Sequence, residues 1–567
     1  MRPGGHGWFE AHAGDVAPGQ RYLFRLDDGP DRPDPASRWQ PDGVHGPSAV
    51  LDPRFAWSDD GWQGVGLADM VLYELHVGTF TAEGTFDAAA AELPRLCDLG
   101  VNALEIMPVA QFPGGRNWGY DGVYPFAVQH SYGGAAGLKR LVDAAHRAGV
   151  AVLLDVVYNH LGPEGNYFRH YGPYFTDQYK NPWGEAVNFD GPHSDAVRDF
   201  FLANARTWQE EFRLDGLRLD AAPFIRDGSA RHVLAEMADN AAALAAQRGR
   251  PFHLIAESDA NDPRYLRPTA AGGLGMASQW SDDFHHALHA HLTGERNGYY
   301  VDHGTLAHVA RAYRDAYVLA GQFSHYRGRR YGAPAADRPG EQFVIFAQNH
   351  DQVGNRVRGE RLPALVDFET LKLVAALLLT APYVPMLFMG EEYGEAAPFP
   401  FFTSHGDGRL IDMVRRGRKH EAADFGWQGD PFDPQDEHTF RRAKLDTRQA
   451  GAGRGKVLHD WHRALLQLRR AHPALRRPDR TAAEVVLRES DGLLCVHRRS
   501  AEGQALLLFH FGPGPSRAAV PFPPGRWRKT LDSADAGWHG PGARACGEAH
   551  GGEVEVAFAA RSAVVYV

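Results

Sequence analysis

A chain of 567 residues is long enough for about three domain-sized units, or for one α/β barrel flanked by smaller modules. A formal charge of −10 without Lys/Arg-rich blocks excludes the usual kinds of nucleic-acid or anionic-membrane partner, whose binding rests on a basic surface. Cys97, Cys495 and Cys546 lie too far apart for a CxxC or Cys/His metal pattern or a disulfide framework, which fits a reducing, cytoplasmic setting.

The first ten residues, Met-Arg-Pro-Gly-Gly-His-Gly-Trp-Phe-Glu, lack the apolar core of a signal peptide, so secretion is not expected. Between residues 7 and 66, short aromatic and β-branched runs are separated by an Asp/Pro/Gly-rich stretch. They predict a small sandwich-like β domain over 1–66, with too few strands to close by itself. From Val71 the texture changes to apolar runs alternating with amphipathic segments. Strands are predicted at 71–77, 101–107, 150–157, 214–220, 252–257, 276–280, 343–348 and 384–389, and helices at 86–98, 137–148, 195–210, 229–247 and 369–379. Eight strands with intervening helices, and no Gly-x-Gly-x-x-Gly after the first, predict a closed parallel (β/α)₈ barrel over 67–478 rather than an open doubly wound sheet.

The most apolar stretch, Leu373 to Met389, is interrupted by Pro382 and Pro385 and falls short of the ~20 residues that span a bilayer, so it reads as a buried helix followed by a strand. The insertion 395–455 is long and rich in aromatics, which predicts a functional loop. A closing helix at 456–470 leads to short alternating runs over 479–567, a C-terminal antiparallel β domain.

Polar residues gather just past the predicted strand ends, the face where barrel active sites lie. In the fourth strand Arg218 and Asp220 are two apart and share a face, so the guanidinium should hold the Asp220 carboxyl low. Glu257 ends the fifth strand without a basic neighbour in sequence, and partial burial should raise it. Two carboxyls pushed apart in this way suit glycoside hydrolysis. His160 and His350, as neutral imidazoles, suit sugar hydroxyls, and Trp118, Tyr120, Trp183, Phe399, Phe401 and Phe402 offer faces on which sugar rings stack. Taken singly, each feature has a plainer explanation as an ion pair, a helix cap or core packing. No paired metal-ligand spacing stands out, so neither a metal nor a cofactor is expected.

Four segments, Asp-Val-Val-Tyr-Asn-His (155–160), Gly-Leu-Arg-Leu-Asp (216–220), Ile-Ala-Glu-Ser (255–258) and Gln-Asn-His-Asp (348–351), resemble in order and spacing the signature regions of the α-amylase family, glycoside hydrolase family 13. The resemblance implies a TIM barrel with Asp220 as nucleophile, Glu257 as general acid/base and Asp351 as transition-state stabiliser. It implies His160, Arg218 and His350 as ligands of the sugar at the cleavage point and Tyr120 as its stacking partner. Trp118, Asp121, Asp155 and Gln352, inside similar segments, complete the expected substrate-binding set. The text at 73–81, 116–123, 159–167, 282–289, 349–356 and 398–405 is similar to the maltooligosyltrehalose trehalohydrolase branch of that family. Two departures stand out. Pro223 occupies the position three after the nucleophile, where the family usually has His, and the N-terminal module starts late, either truncated or with a misassigned start.

The resemblance implies a retaining hydrolase that cuts the α-1,4 bond beside a terminal trehalose, on maltooligosyltrehalose or a related α-1,4-glucan, in trehalose biosynthesis, with a maltooligosyltrehalose synthase as metabolic partner. A glucan-branching transferase on the same barrel and a non-catalytic carbohydrate-binding protein are the other readings. New α-1,6 branches on amylose would mark the transferase, whereas intact Asp220, Glu257 and Asp351 count against the binding protein.

Overall fold

Alternation along eight short apolar runs decides the architecture. In the computed structural model, which describes residues 1–5 and 8–567, these runs form parallel strands β1 (Leu72–Leu75), β2 (Ala103–Ile106), β3 (Ala151–Val156), β4 (Gly216–Leu219), β5 (His253–Ala256), β6 (Ser278–Trp280), β7 (Phe343–Phe346) and β8 (Val384–Phe388). Each pairs with the next, and β8 returns to β1, closing the barrel. All eight lie inside the stretches expected from sequence. His6 and Gly7, the latter heading the first aromatic run, fall outside the described residues.

Successive side chains point to opposite faces of each strand. Leu72, Ala103, Leu153, Ile255, Val344 and Met386 meet in one buried cluster inside the barrel. Leu104, Val152, Leu217, Leu219 and Leu254 belong to another, packed with helix residues such as Phe201, Trp208, Leu234 and Met237. Leu217 and Leu219 therefore face the helix layer, which turns Arg218 and Asp220 inward, toward the C-terminal mouth of the barrel.

The outer layer includes helices Gly134–Arg147, Asp195–Glu210, Val233–Arg248 and Phe368–Thr380, close to expectation. The expected single helix at 86–98 is two, Phe86–Ala91 and Leu93–Leu99. Pro94 sits in the first turn of the second, where its missing N–H costs nothing. Helices Asp282–Thr293 and Leu306–Asp315, between β6 and β7, were not anticipated. The closing helix is Gly453–Ala471, and its Arg469 donates to the carbonyls of Leu379, Ala381 and Tyr383, tying it to the approach to β8.

Among the described residues before 67, only two-stranded pairs occur, such as Arg21–Tyr22 with Ser48–Ala49, rather than a sandwich. This segment is held to the barrel through polar contacts. Ser58 donates from its N and Oγ to Asp143, and Asp59 meets His146, which also contacts Asp215. At the other end, the runs after 482 form a six-stranded antiparallel sheet. The 395–455 insertion is partly helical, with Gly408–Asp424 and Glu437–Arg441. Among the described residues, no helix is long and apolar enough to cross a membrane.

Leu217 is fully buried between β4 and the helix layer, so Leu217→Ala should lower the unfolding free energy by about 2–5 kcal/mol. The shift of the urea midpoint measures this, and an unchanged midpoint would mean that the strand face is wrongly assigned.

Candidate active site

The site is built where β3, β4 and β5 end side by side. Parallel pairing sets Asp155 opposite Arg218 and Arg218 opposite Ile255, so that Asp220 and Glu257 emerge together one pleat further on. Arg218 is wholly buried and lies over the Trp280 ring at 4.3 Å. Its Nη1 donates to Asp155 Oδ2 at 2.7 Å and to Asp220 Oδ1 at 2.9 Å, while Nη2 lies 3.2 Å from Glu257 Oε2. One guanidinium thus hydrogen-bonds two carboxylates and lies beside a third.

Backbone geometry completes the pair. Ala221, directly after Asp220, adopts a left-handed conformation (φ 41°, ψ 49°) that a side chain with a Cβ rarely takes. The turn aims its N–H at Glu257 Oε2 and leads the Ala222 N–H to the Glu257 carbonyl at 3.0 Å. Strain of this kind persists where surrounding contacts over-determine it, typically at functional sites.

The expected contrast between the two carboxyls takes another form. Burial pushes Asp220 well up; Arg218 opposes this, while Glu257, Asp155 and Asp351 add to it. Burial also raises Glu257 and Asp155, again against Arg218. The guanidinium is shared, so it does not hold Asp220 low against burial and the neighbouring carboxylates.

His350 departs from expectation as well. Tyr120 donates its proton to Asp155 Oδ2 at 2.6 Å, so its oxygen accepts from His350 Nε2 at 2.7 Å. His350 Nδ1 donates to Glu74 Oε1 at 2.5 Å. Both ring nitrogens are donors, which makes an imidazolium. Burial opposes this charge, but Asp351 and Glu74 outweigh it and raise His350 to about 9. Asp351 follows in the short helix His350–Gly354, its Oδ2 3.4 Å from His350 Nε2 and its Oδ1 accepting from Asn355 at 3.2 Å.

With this geometry in view, comparison with known proteins is informative. The α-amylase catalytic-domain model matches residues 50–185. A malto-oligosyltrehalose trehalohydrolase of Saccharolobus solfataricus is 50% identical over 439 residues, 77% of this chain and 76% of that protein. The chain belongs to the malto-oligosyltrehalose trehalohydrolase family. It is therefore a glycosidase of the α-amylase family. Another member, from Mycobacterium tuberculosis, is 44% identical over 91% of this chain and 89% of its own length. A crystal structure of a putative α-amylase from Salmonella typhimurium superposes with a TM-score of 0.87 at 39% identity, covering 97% of this chain and 90% of that one.

The other expected residues divide by their surroundings. His160 places Nε2 3.1 Å from the Tyr120 carbonyl, and burial holds it near 4, hence neutral. Its ring stacks with Trp183, which is 51% exposed and free to meet a ligand. Trp118 is 3% exposed, stacked on Phe399 and donating to the Pro400 carbonyl. Trp118, Phe399 and Phe402 are packed walls, contrary to the expectation of free stacking faces; Tyr120 and Phe401 are half-buried. Asp121 accepts from Asn117 at 2.6 Å and lies 3.6 Å from His405 of the insertion. Gln352 accepts from Tyr299 at 2.6 Å.

Sequence reasoning overlooked Glu74, Glu105 and Trp280. Glu105 is buried without a hydrogen-bond partner beside Glu74 and Asp155, and burial raises it well above the carboxylate range. Glu74 and Glu105 were detectable as lone acids inside apolar strand runs.

A histidine raised from about 6.5 in the unfolded chain to about 9 in the fold contributes stability that is fully present below pH ~6.5 and lost as pH rises through about 9. Ring-nitrogen NMR should show His350 titrating near 9, and Glu74→Gln should move that midpoint down. A wild-type midpoint at or below 6.5 would contradict the imidazolium assignment.

Proposed function

We propose that the chain is a retaining glycosidase acting on maltooligosyltrehalose, hydrolysing the α-1,4 bond beside the terminal trehalose to release trehalose and a shortened maltooligosaccharide. The support for the substrate is identity of 44–50% with relatives named for that activity. Support for the mechanism is the placing of Asp220 and Glu257 around the single Arg218 guanidinium, 2.9 and 3.2 Å from its nitrogens.

In this reading Asp220 is the nucleophile. Its Oδ1 accepts from Arg218 Nη1 at 2.9 Å, and the proton given to the leaving group is carried by Glu257. Asp220 attacks the anomeric carbon as the glycosidic C–O bond breaks and Glu257 protonates the departing trehalose oxygen. Water then enters, Glu257 takes its proton, and the bond to Asp220 is broken. Asp351 and the other acidic side chains face the positive charge that develops at the sugar ring, while His350 supplies a charged donor for its hydroxyls. Tyr120 and Trp183 offer ring faces, and His160, Asp121, Asp155 and Gln352 complete the binding set. A branching transferase would need a sugar hydroxyl to replace water in the second step; the relatives' names favour hydrolysis. We also place the enzyme in the cytoplasm, which its three unpaired cysteines suit, with a maltooligosyltrehalose synthase supplying its substrate.

The deciding assay compares free trehalose release from a trehalose-terminated maltooligosaccharide with maltose release from the matching plain oligosaccharide. Trehalose release should dominate; equal rates, or new α-1,6 linkages on amylose, would refute the assignment. Asp220→Asn should remove nearly all hydrolysis without unfolding the chain, a loss of several kcal/mol of transition-state stabilisation, and activity within about tenfold of wild type would remove Asp220 from its role.

Stereochemistry gives an independent check. Carboxyls placed around one guanidinium at the ends of adjacent strands suit the roughly 5–5.5 Å separation of retaining enzymes, too close for a direct water attack. Early-time NMR should show the new reducing end first as the α anomer. Initial β anomer would mean inversion.

A further inference from the structure

Beside the active site lies a buried group that the reaction above does not use. Asp283 and His286 stand one turn apart at the start of helix Asp282–Thr293, and His303 follows the 3₁₀ segment Gly298–Asp302. Their exposures are 5%, 6% and 5%. One carboxylate oxygen of Asp283 is fully engaged: Oδ2 accepts from Val318 N at 2.6 Å, Leu319 N at 2.9 Å and Asn261 Nδ2 at 2.8 Å. The other is not. Oδ1 faces His286 Nδ1 at 3.9 Å and His303 Nε2 at 3.8 Å, both beyond hydrogen-bond length. Neither nitrogen has another hydrogen-bond partner among the described residues, and the three atoms lie within 4.8 Å of one another.

These groups line a small cavity of ≈ 20 Å³ together with Tyr299, Asp302 and Arg327. That is room for about one water or one ion. The opposite ring nitrogens, His286 Nε2 and His303 Nδ1, are buried without a hydrogen-bond partner, so no protein hydrogen bond fixes the tautomer of either ring.

We propose that Asp283, His286 and His303 form a binding site for one divalent transition-type cation, of which Zn²⁺ is the reference. Two imidazole nitrogens with one carboxylate oxygen match that class, whereas Ca²⁺ and Mg²⁺ prefer oxygen-rich cages. Bonds of about 2.0–2.2 Å in tetrahedral geometry put ligands roughly 3.4 Å apart, so each histidine nitrogen must approach Asp283 Oδ1 by about half an ångström for the site to close around the ion, with water as fourth ligand. The expectation of no metal rested on spacing in the chain, and His303 joins the Asp283/His286 pair only through the fold.

The position gives the ion a positioning role. His286 stacks on Tyr299 at 4.1 Å, and Tyr299 donates to Gln352, next to Asp351. Asp282 adjoins the site on the other side and feels the charges of Glu257 and Asp351. A cation would lock the helix start to the 3₁₀ segment and fix both neighbours.

Chelator-treated, metal-depleted enzyme should bind one equivalent of Co²⁺ with the visible absorption of a low-coordinate N/O site, displaced by Zn²⁺ and not by Ca²⁺. His286→Gln and His303→Gln, checked for folding by circular dichroism, should each weaken Co²⁺ binding at least tenfold in equilibrium dialysis. Asp283 is left intact because its Oδ2 holds backbone N–H groups. No bound equivalent in the wild type, or unchanged affinity in both variants, would overturn the proposal, and the wild-type stoichiometry decides even where a variant fails to fold.

Discussion

The site depends on one buried cation shared among several anions. Arg218 has no solvent exposure, and removing a guanidinium from water is costly unless its partners are close and well oriented. Asp155 and Asp220 accept hydrogen bonds from Nη1, Glu257 lies 3.2 Å from Nη2, and the Trp280 ring supports the cation from its face. The arrangement needs the barrel: only parallel strands in register bring residues 155, 218 and 257 to one level. The barrel in turn gathers three carboxylates around one guanidinium at its mouth, and Asp220 and Glu257 are raised by burial and by the neighbouring carboxylates against that single cation.

Barrel strands were readable because each is a short apolar run bounded by polar residues, and closure followed from counting them. The in-and-out alternation also placed Arg218 and Asp220 on one face. Helices between β6 and β7 were harder to see, since Asp-Asp-Phe-His-His-Ala-Leu-His mixes charge and apolarity without a sharp face. The N-terminal segment misled in another way: its aromatic runs resemble strands but find only short partners, and its ties to the barrel are largely side-chain contacts that no local pattern reveals.

Residue identities at the site were more legible than their electrostatics. Asp220 and Glu257 were correctly expected at adjacent strand ends, but their charge states depend on how many carboxylates share Arg218, a property of three strands together. His350 was read as neutral because its partner Glu74 lies 276 residues away. Trp118 was read as a free face because the residues that cover it, Phe399 and Pro400, belong to a distant insertion. In each case the missing information was a long-range contact, and burial then magnified its electrostatic consequence.

The two cations of the site act on different parts of it. Arg218 binds carboxylates at strand ends and is fixed by the pleat, whereas His350 is reached through Glu74, from inside β1, and through Tyr120, from the loop after β2. Tyr120 links the two, donating to Asp155, which Arg218 also holds. The chain Glu74–His350–Tyr120–Asp155–Arg218–Asp220 therefore runs across the barrel mouth as one hydrogen-bonded path. A proton added to any carboxylate along it alters the donors available to the next. Charge placement is consequently a collective property, and the strained turn at Ala221 gains its importance there: by directing an N–H to Glu257, it gives that carboxyl a donor outside the shared path and distinguishes it from Asp220, although both bind the same guanidinium.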